Sequence, residues 1–152
     1  YNVDNAATYA CGDVSVGAKR VMDTTKNALY EGIKAACVGS RIGDISNAIQ
    51  RTVEAAGFSV VRQYVGHGIG TQLHEAPEVP NFGSPGRGPR LVRGMTLAVE
   101  PMVNMGKAAI RQLPDGWTVK TADGKYAAHY ENTILITAGD PELLTDAEGS
   151  LV

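Results

Sequence analysis

The segment Tyr64-Val65-Gly66-His67-Gly68-Ile69-Gly70 constrains this chain more than any other. It runs on through Leu73-His74-Glu75-Ala76-Pro77-Glu78-Val79-Pro80-Asn81-Phe82, so two histidines seven positions apart are wrapped in glycine and proline. Glycine on both sides of His67 permits close backbone approach and removes competing side chains. A histidine that only filled a core would not require such neighbours. His74 is more ambiguous, because in His-Glu-Ala-Pro an ordinary turn residue is an equally good reading, and Glu75 and Glu78 read as solvated.

Two carboxylates stand out in the same way. Glu100 interrupts the apolar run Met95 to Val99 just before Pro101-Met102-Val103, and Glu131 precedes Thr133-Ile134-Leu135-Ile136. A carboxylate flanked by apolar strand residues is expected to be partly buried, and a buried charge is costly unless a partner or a metal offsets it. One imidazole and two such carboxylates point to a metal centre. The donors are hard to borderline, which suits Mn, Fe(II), Co or Zn better than Cu(I) or an iron-sulfur cluster. Shared carboxylates are the usual means of holding two metals about 3.5–4 Å apart, so a dinuclear hydrolase is the expected chemistry. His129, two positions before Glu131, falls on the same face if one strand carries both, as a supporting residue or a wall of the cleft.

With 152 residues and 43% hydrophobic content, the chain is long enough to bury a core. A net charge of −2 supplies no basic field for nucleic acid or an anionic membrane surface. No stretch approaches a membrane-spanning length and Tyr1-Asn2-Val3-Asp4 lacks signal-peptide regions, so a cytoplasmic setting is expected. Cys11 and Cys37 have no metal-site spacing and read as reduced thiols. Opening on Tyr1 rather than methionine suggests a fragment or processed product.

Apolar spacing predicts a helix over about 17–38, with Met22, Leu29, Ile33 and Ala36 on one face and Gly39 as the stop. A second helix is expected from an Asp44 cap to Gly57, with Ile45, Ile49 and Val53 inward. Residues 1–11 read as a short strand with Asp4 facing inward or in a turn. Strands are predicted over 58–65, leading into the His67 segment, then 96–104, 109–113, 117–121 and 126–137, with hairpin turns at Asp115-Gly116 and Asp123-Gly124. Residues 83–94, rich in glycine, proline and arginine, read as a surface loop rather than a phosphate cradle. Two helices followed by antiparallel strands is an α+β pattern in one domain spanning 1–152.

Together, Gly66-His67-Gly68-Ile69-Gly70 with Leu73-His74-Glu75-Ala76-Pro77 and Val79-Pro80-Asn81-Phe82, Gly94-Met95-Thr96 with Val99-Glu100-Pro101-Met102, Asp115-Gly116-Trp117-Thr118-Val119-Lys120-Thr121 and Tyr130-Glu131-Asn132-Thr133 resemble the bacterial-type methionine aminopeptidases of type I. The likeness runs from Tyr1 to Leu143-Leu144-Thr145. It implies the pita-bread α+β fold, two divalent metal ions, and removal of the initiator methionine from nascent polypeptides with a small second residue, through a hydroxide shared by the metals. A cytoplasmic monomer is expected, with no membrane or sequence-specific nucleic-acid partner and with transient ribosome association as a candidate contact.

By motif, Asp4, His67, Glu100 and Glu131 resemble the family's metal ligands. Asp4 and Glu131 would bridge, and Glu100 would also shuttle a proton. His74 resembles the substrate-contacting histidine that stabilises the tetrahedral intermediate. Tyr64, Leu73 and Trp117 would wall the methionine pocket. The family's other aspartate ligand and a further histidine belong upstream of Tyr1. This stretch is therefore expected to be N-terminally incomplete, to hold one intact metal set, and to be poorly soluble and weak or inactive alone. An X-Pro aminopeptidase or prolidase is the nearest rival, opposed by Met102 after Glu100-Pro101 and by Asp115-Gly116-Trp117. A metal-free binding module is the rival of another class, opposed by retention of every ligand visible in the chain.

Overall fold

The computed structural model describes residues 1–145. Two helices carry the long-period apolar pattern. Helix α1 (Val16–Lys34) starts where the Ser15 side chain accepts a hydrogen bond from the Ala18 N–H, at 3.1 Å, a standard N-cap. It buries Val21, Thr25, Ala28, Leu29 and Ile33. The predicted helix ran on to residue 38. Instead the chain tightens after Lys34, with the Ala36 N–H bonding back to Ile33 O, which turns Ala36 into the core and leaves Gly39, at φ 89°, to complete the exit.

Helix α2 (Ile42–Ala55) packs against α1 through Ile45, Ile49 and Val53. Gly32 is the contact point, since a Cβ there would run into the Ile49 side chain. The expected Asp44 cap is corrected by one turn, because Arg41 occupies the N-cap. Asp44 sits in the first turn and its carboxylate accepts from the N–H groups of Arg41 and Gly86, both at 2.7 Å. Those donors hold its carboxyl below the usual range, and they tie the 83–94 loop to the helix start. That loop is irregular, as expected, but anchored: Arg41 and Arg90 form a β-bridge and Leu91 is buried.

Among the described residues the strands form three sheets. The largest has the order β1 (Asn5–Ala6), β10 (Glu131–Leu135), β5 (Thr96–Val99), β3 (Gly66–Gly68), β4 (Glu75–Val79), with β11 (Glu142–Leu143) also on β10. The second is β2 (Ser59–Val60), β6 (Met102–Asn104), β9 (Ala127–His129), and the third is the β7 (Ile110–Gln112) and β8 (Val119–Thr121) hairpin. Every pairing is antiparallel. Helix α1 packs against β5, β6, β9 and β10, and α2 against β2 and β4, with Leu97, Val99, Val103, Ile134 and Ile136 in the shared core.

Several predicted strands are broken, each for a reason that matters to the site. The run 96–104 divides at Glu100-Pro101, where proline lacks the N–H that a ladder needs, and the chain passes from the first sheet to the second. The run 126–137 divides at Tyr130 and crosses back, with the Tyr130 N–H directed at Pro101 O, 3.4 Å away. His129 and Glu131 therefore lie on different strands, not on one face of a single strand. Only Ser59–Val60 of 58–65 is a strand, and His67 lies in the separate strand β3. The turn expected around Ala76-Pro77 is the edge strand β4, with Glu78 exposed as expected. Asp115-Gly116 closes a hairpin, whereas Asp123-Gly124 joins β8 and β9, which pair with different partners.

Strand β3 is nearly all glycine because it is squeezed. A Cβ on Gly66 would meet the Ala98 carbonyl oxygen, and one on Gly68 the Ala76 carbonyl oxygen. Gly66→Ala is thus expected to destabilise the protein by about 1–3 kcal/mol, the usual range for overpacking a tight interior. Urea unfolding would check this, and an unchanged midpoint would show that the sheet yields around the methyl group.

Candidate metal centre

Four strands of the first sheet bring the candidate residues together. His67 in β3 is opposite Ala98 in β5, Val99 in β5 is opposite Asn132 in β10, and Ala6 in β1 is opposite Glu131. Asp4 lies just before β1 and Glu100 just after β5. The result is a group formed by Asp4, His67 and Glu131, whose donor atoms lie within 4.8 Å of one another. A second such group, Glu100, His129 and Glu131, shares Glu131 with the first.

Glu100 spans the two imidazoles. Its Oε1 is 3.4 Å from His67 Nε2 and its Oε2 is 3.5 Å from His129 Nε2. His67 is buried, and its Nδ1 lies 2.9 Å from the Gly68 carbonyl oxygen. A carbonyl can only accept, so Nδ1 carries a proton and Nε2, which faces the carboxylates, is the nitrogen placed to bind a metal. This is the tautomer a metal-binding imidazole needs. A bulge between His67 and Gly68 in the β3–β4 pairing accompanies that orientation.

Glu131 carries the electrostatic cost of the site. Burial, then the nearby charges of Glu100 and Asp4, push its carboxyl up to about 8, and its Oε1 has no hydrogen-bond partner. Like charges crowded in a buried place are stable only when protons or cations balance them. The donor set of imidazole nitrogen and carboxylate oxygens, with one oxygen left orphaned, fits a divalent cation.

Several supporting residues escaped the sequence reading. Thr133 accepts from the Asp4 N–H and donates to the Asp4 carbonyl, both at 2.8 Å, so one hydroxyl pins the aspartate's backbone. Thr8 does the same for His129, accepting from its N–H at 2.9 Å and donating to its carbonyl at 2.8 Å. The buried Asn81 side chain donates to the Glu100 carbonyl at 3.0 Å. Nothing local in the sequence marks them as supports, since their partners lie far along the chain and hydroxyl and amide side chains of this kind are also common in turns.

His74 is exposed but lies edge-on to His67, with ring centroids 4.3 Å apart and an interplanar angle of 62°. Tyr64 lines a cleft of about 450 Å³ together with Val61, Met102, Ile110, Val119 and His129. Leu73 and Trp117 do not line that cleft, and Trp117, at 90% exposure, stands on the surface beside the β7–β8 turn.

The family profile of metallopeptidase family M24 matches residues 1–138. The chain belongs to that family. Membership in this metallopeptidase family implies divalent metal binding, in keeping with the donor groups described above. The chain is 56% identical over 145 residues to a methionine aminopeptidase of Clostridium perfringens, covering 95% of this chain and 58% of that protein. It superposes on the crystal structure of methionine aminopeptidase from Thermotoga maritima with a TM-score of 0.93 at 48% identity, covering 95% and 58% of the two chains. A prolidase from Pyrococcus horikoshii superposes with a TM-score of 0.74 at 21% identity, over all of this chain and 38% of that one, a likeness of fold alone. The M24 chain thus has the pita-bread fold and spans about 58% of the length of these methionine aminopeptidases. No helix among its described residues is long and apolar enough to cross a membrane.

Proposed function

We propose that this protein is a cytoplasmic methionyl aminopeptidase that removes the initiator methionine from nascent polypeptides whose second residue is small, with residues 1–152 forming part of one catalytic domain. The observation that carries this reading is the convergence of Asp4, His67, Glu100 and Glu131 at the strand ends, in a chain about half identical to proteins named methionine aminopeptidase.

In this reading Asp4, His67, Glu100 and Glu131 would hold divalent metal of the Co, Mn, Fe(II) or Zn class. When bound, the metal would supply positive charge that lowers the pKa of water and polarises the scissile carbonyl. The residues of the chain do the rest. Glu100 accepts the proton of the attacking water and passes it toward the leaving amine. His74, beside His67, donates a hydrogen bond to the oxygen that gains charge as the carbonyl becomes tetrahedral. Tyr64 in the cleft, with Leu73 and Trp117 nearer the surface, contributes apolar contact to the methionine side chain.

The test is a peptide panel. In the full-length protein, Met-Ala-Ser is expected to lose its methionine, whereas Met-Lys-Ser and X-Pro peptides are expected to remain intact. Hydrolysis of X-Pro peptides without hydrolysis of Met-Ala-Ser would transfer the protein to the prolidase activity. A protein that binds peptides but no metal would instead be a binding module.

A further inference from the structure

His74 is exposed and meets His67 edge-on. A ring so placed keeps one orientation only if the backbone beneath it is held. It stands in residues 70–74, a stretch of no regular structure between β3 and β4. The entry to this loop is anchored first. Ile69 is buried, its N–H donates to the Thr96 carbonyl at 3.2 Å, and its carbonyl accepts from the Thr96 hydroxyl. Asn2 pins the next two residues: its backbone N–H donates to the Gly70 carbonyl at 2.8 Å, and its side-chain amide donates to the Gly70 and Thr71 carbonyls at 3.0 and 3.2 Å. Leu73 and His74 remain, both exposed.

Glu75 closes over them. The sequence reads it as solvated, yet its carboxylate turns back across the loop. One oxygen, Oε1, accepts from the Gln72 N–H at 2.8 Å and from the Thr71 hydroxyl at 3.0 Å. Those donors, the Gln72 N–H first, hold its carboxyl below the usual range, so it is ionised at neutral pH. Position 70 leaves the room, since a Cβ there would lie 3.2 Å from both carboxylate oxygens and glycine has none. The main chain of Glu75 is fixed in turn by its pairing with Gly68 in β3. The contact from residue 75 back to residue 72 therefore forms a closed ring around Leu73 and His74, by the same reach of three residues that ties a helix start.

We propose that Glu75 is a positioning residue for His74: by fixing the Gln72 N–H and the Thr71 hydroxyl, it keeps the His74 ring against His67. The inference rests on the reading of His74 as the donor to the tetrahedral intermediate, and it adds what holds that donor in place. Glu75 belongs to neither donor group and acts through the loop.

The test is a double-variant cycle in the full-length protein with Met-Ala-Ser. Glu75→Ala is expected to lower kcat about tenfold to a hundredfold, as a displaced catalytic group does, with metal content and melting temperature unchanged. Made on top of His74→Ala, it should cost less than about twofold more, because a residue that acts through His74 has nothing left to position. Glu75→Gln keeps the accepting oxygen and should recover most of the loss. A further measurement needs no turnover: the nuclear Overhauser contact between the His67 and His74 rings should be present in the unaltered protein and weakened in Glu75→Ala. An unchanged kcat in Glu75→Ala, losses that multiply in full in the double variant, no rescue by glutamine, or an undisturbed ring contact would each overturn the inference. If Glu75→Ala fails to fold, Thr71→Val, which removes one of the two donors, takes its place in the cycle. A protein that turns over no Met-Ala-Ser at all would refute the aminopeptidase reading instead, and the ring contact would then decide the role of Glu75 by itself.

Discussion

In the full-length protein, Glu100→Gln is expected to cut turnover of a Met-Ala-Ser peptide by at least about a hundredfold, the lower end of what a positioned proton carrier contributes. The carboxylate lies where the chain leaves β5 and turns through Pro101 into β6, with one oxygen 3.4 Å from His67 Nε2 and the other 3.5 Å from His129 Nε2. Glutamine keeps the shape and can still coordinate through one oxygen, but it cannot take up a proton. The backbone at this point is fixed by Asn81 through the Glu100 carbonyl, not through the carboxylate. The variant should therefore fold normally, and its melting temperature separates a chemical loss from a structural one. Steady-state kinetics that matched the unaltered protein would remove Glu100 from the proton-transfer role.

The site was more legible in the sequence than the strands that build it. His67 declared itself through flanking glycines, and the backbone explains them, since Gly66 and Gly68 pack directly against the carbonyls of neighbouring strands. Glu100 and Glu131 declared themselves as lone charges in apolar runs. What the pattern concealed was that each run is two strands in two sheets. A period of two continues across a sheet change, so alternation predicted one strand over 96–104 and one over 126–137. The break at Pro101 carried a local signal in its missing N–H, but Tyr130 carried none. The same limit hid the placement of His129, which counting along a single strand would set on the face of Glu131 and which the crossover instead brings in from the neighbouring sheet. Helix α2 was found from Ile45, Ile49 and Val53, but its start was placed at Asp44. An aspartate can cap from the N-cap position or reach back from the third, and only the Arg41 and Gly86 contacts distinguish the two. Thr8, Asn81 and Thr133 were invisible as supports, because their roles depend on partners far away in the chain.

His67→Ala and His74→Ala are expected to fail in different ways, although the two rings touch. His67 is buried, its Nδ1 proton is committed to the Gly68 carbonyl, and its Nε2 faces Glu100 within the Asp4 and Glu131 group. Removing it takes away a ligand, so metal content should drop along with activity. His74 is exposed, belongs to neither donor group, and meets His67 edge-on. In the proposed role it would meet the substrate rather than the metal. His74→Ala is therefore expected to keep its metal and to lose about 10² to 10³ in kcat, the cost of a missing donor to a developing oxyanion. The effect should fall on kcat rather than KM, because the hydrogen bond strengthens only as charge builds on the substrate oxygen. Metal analysis of the two purified variants, paired with their kinetics, provides the check. Equal metal loss in both would mean that His74 supports the ligand sphere by packing on His67, and its assignment to the transition state would have to be withdrawn.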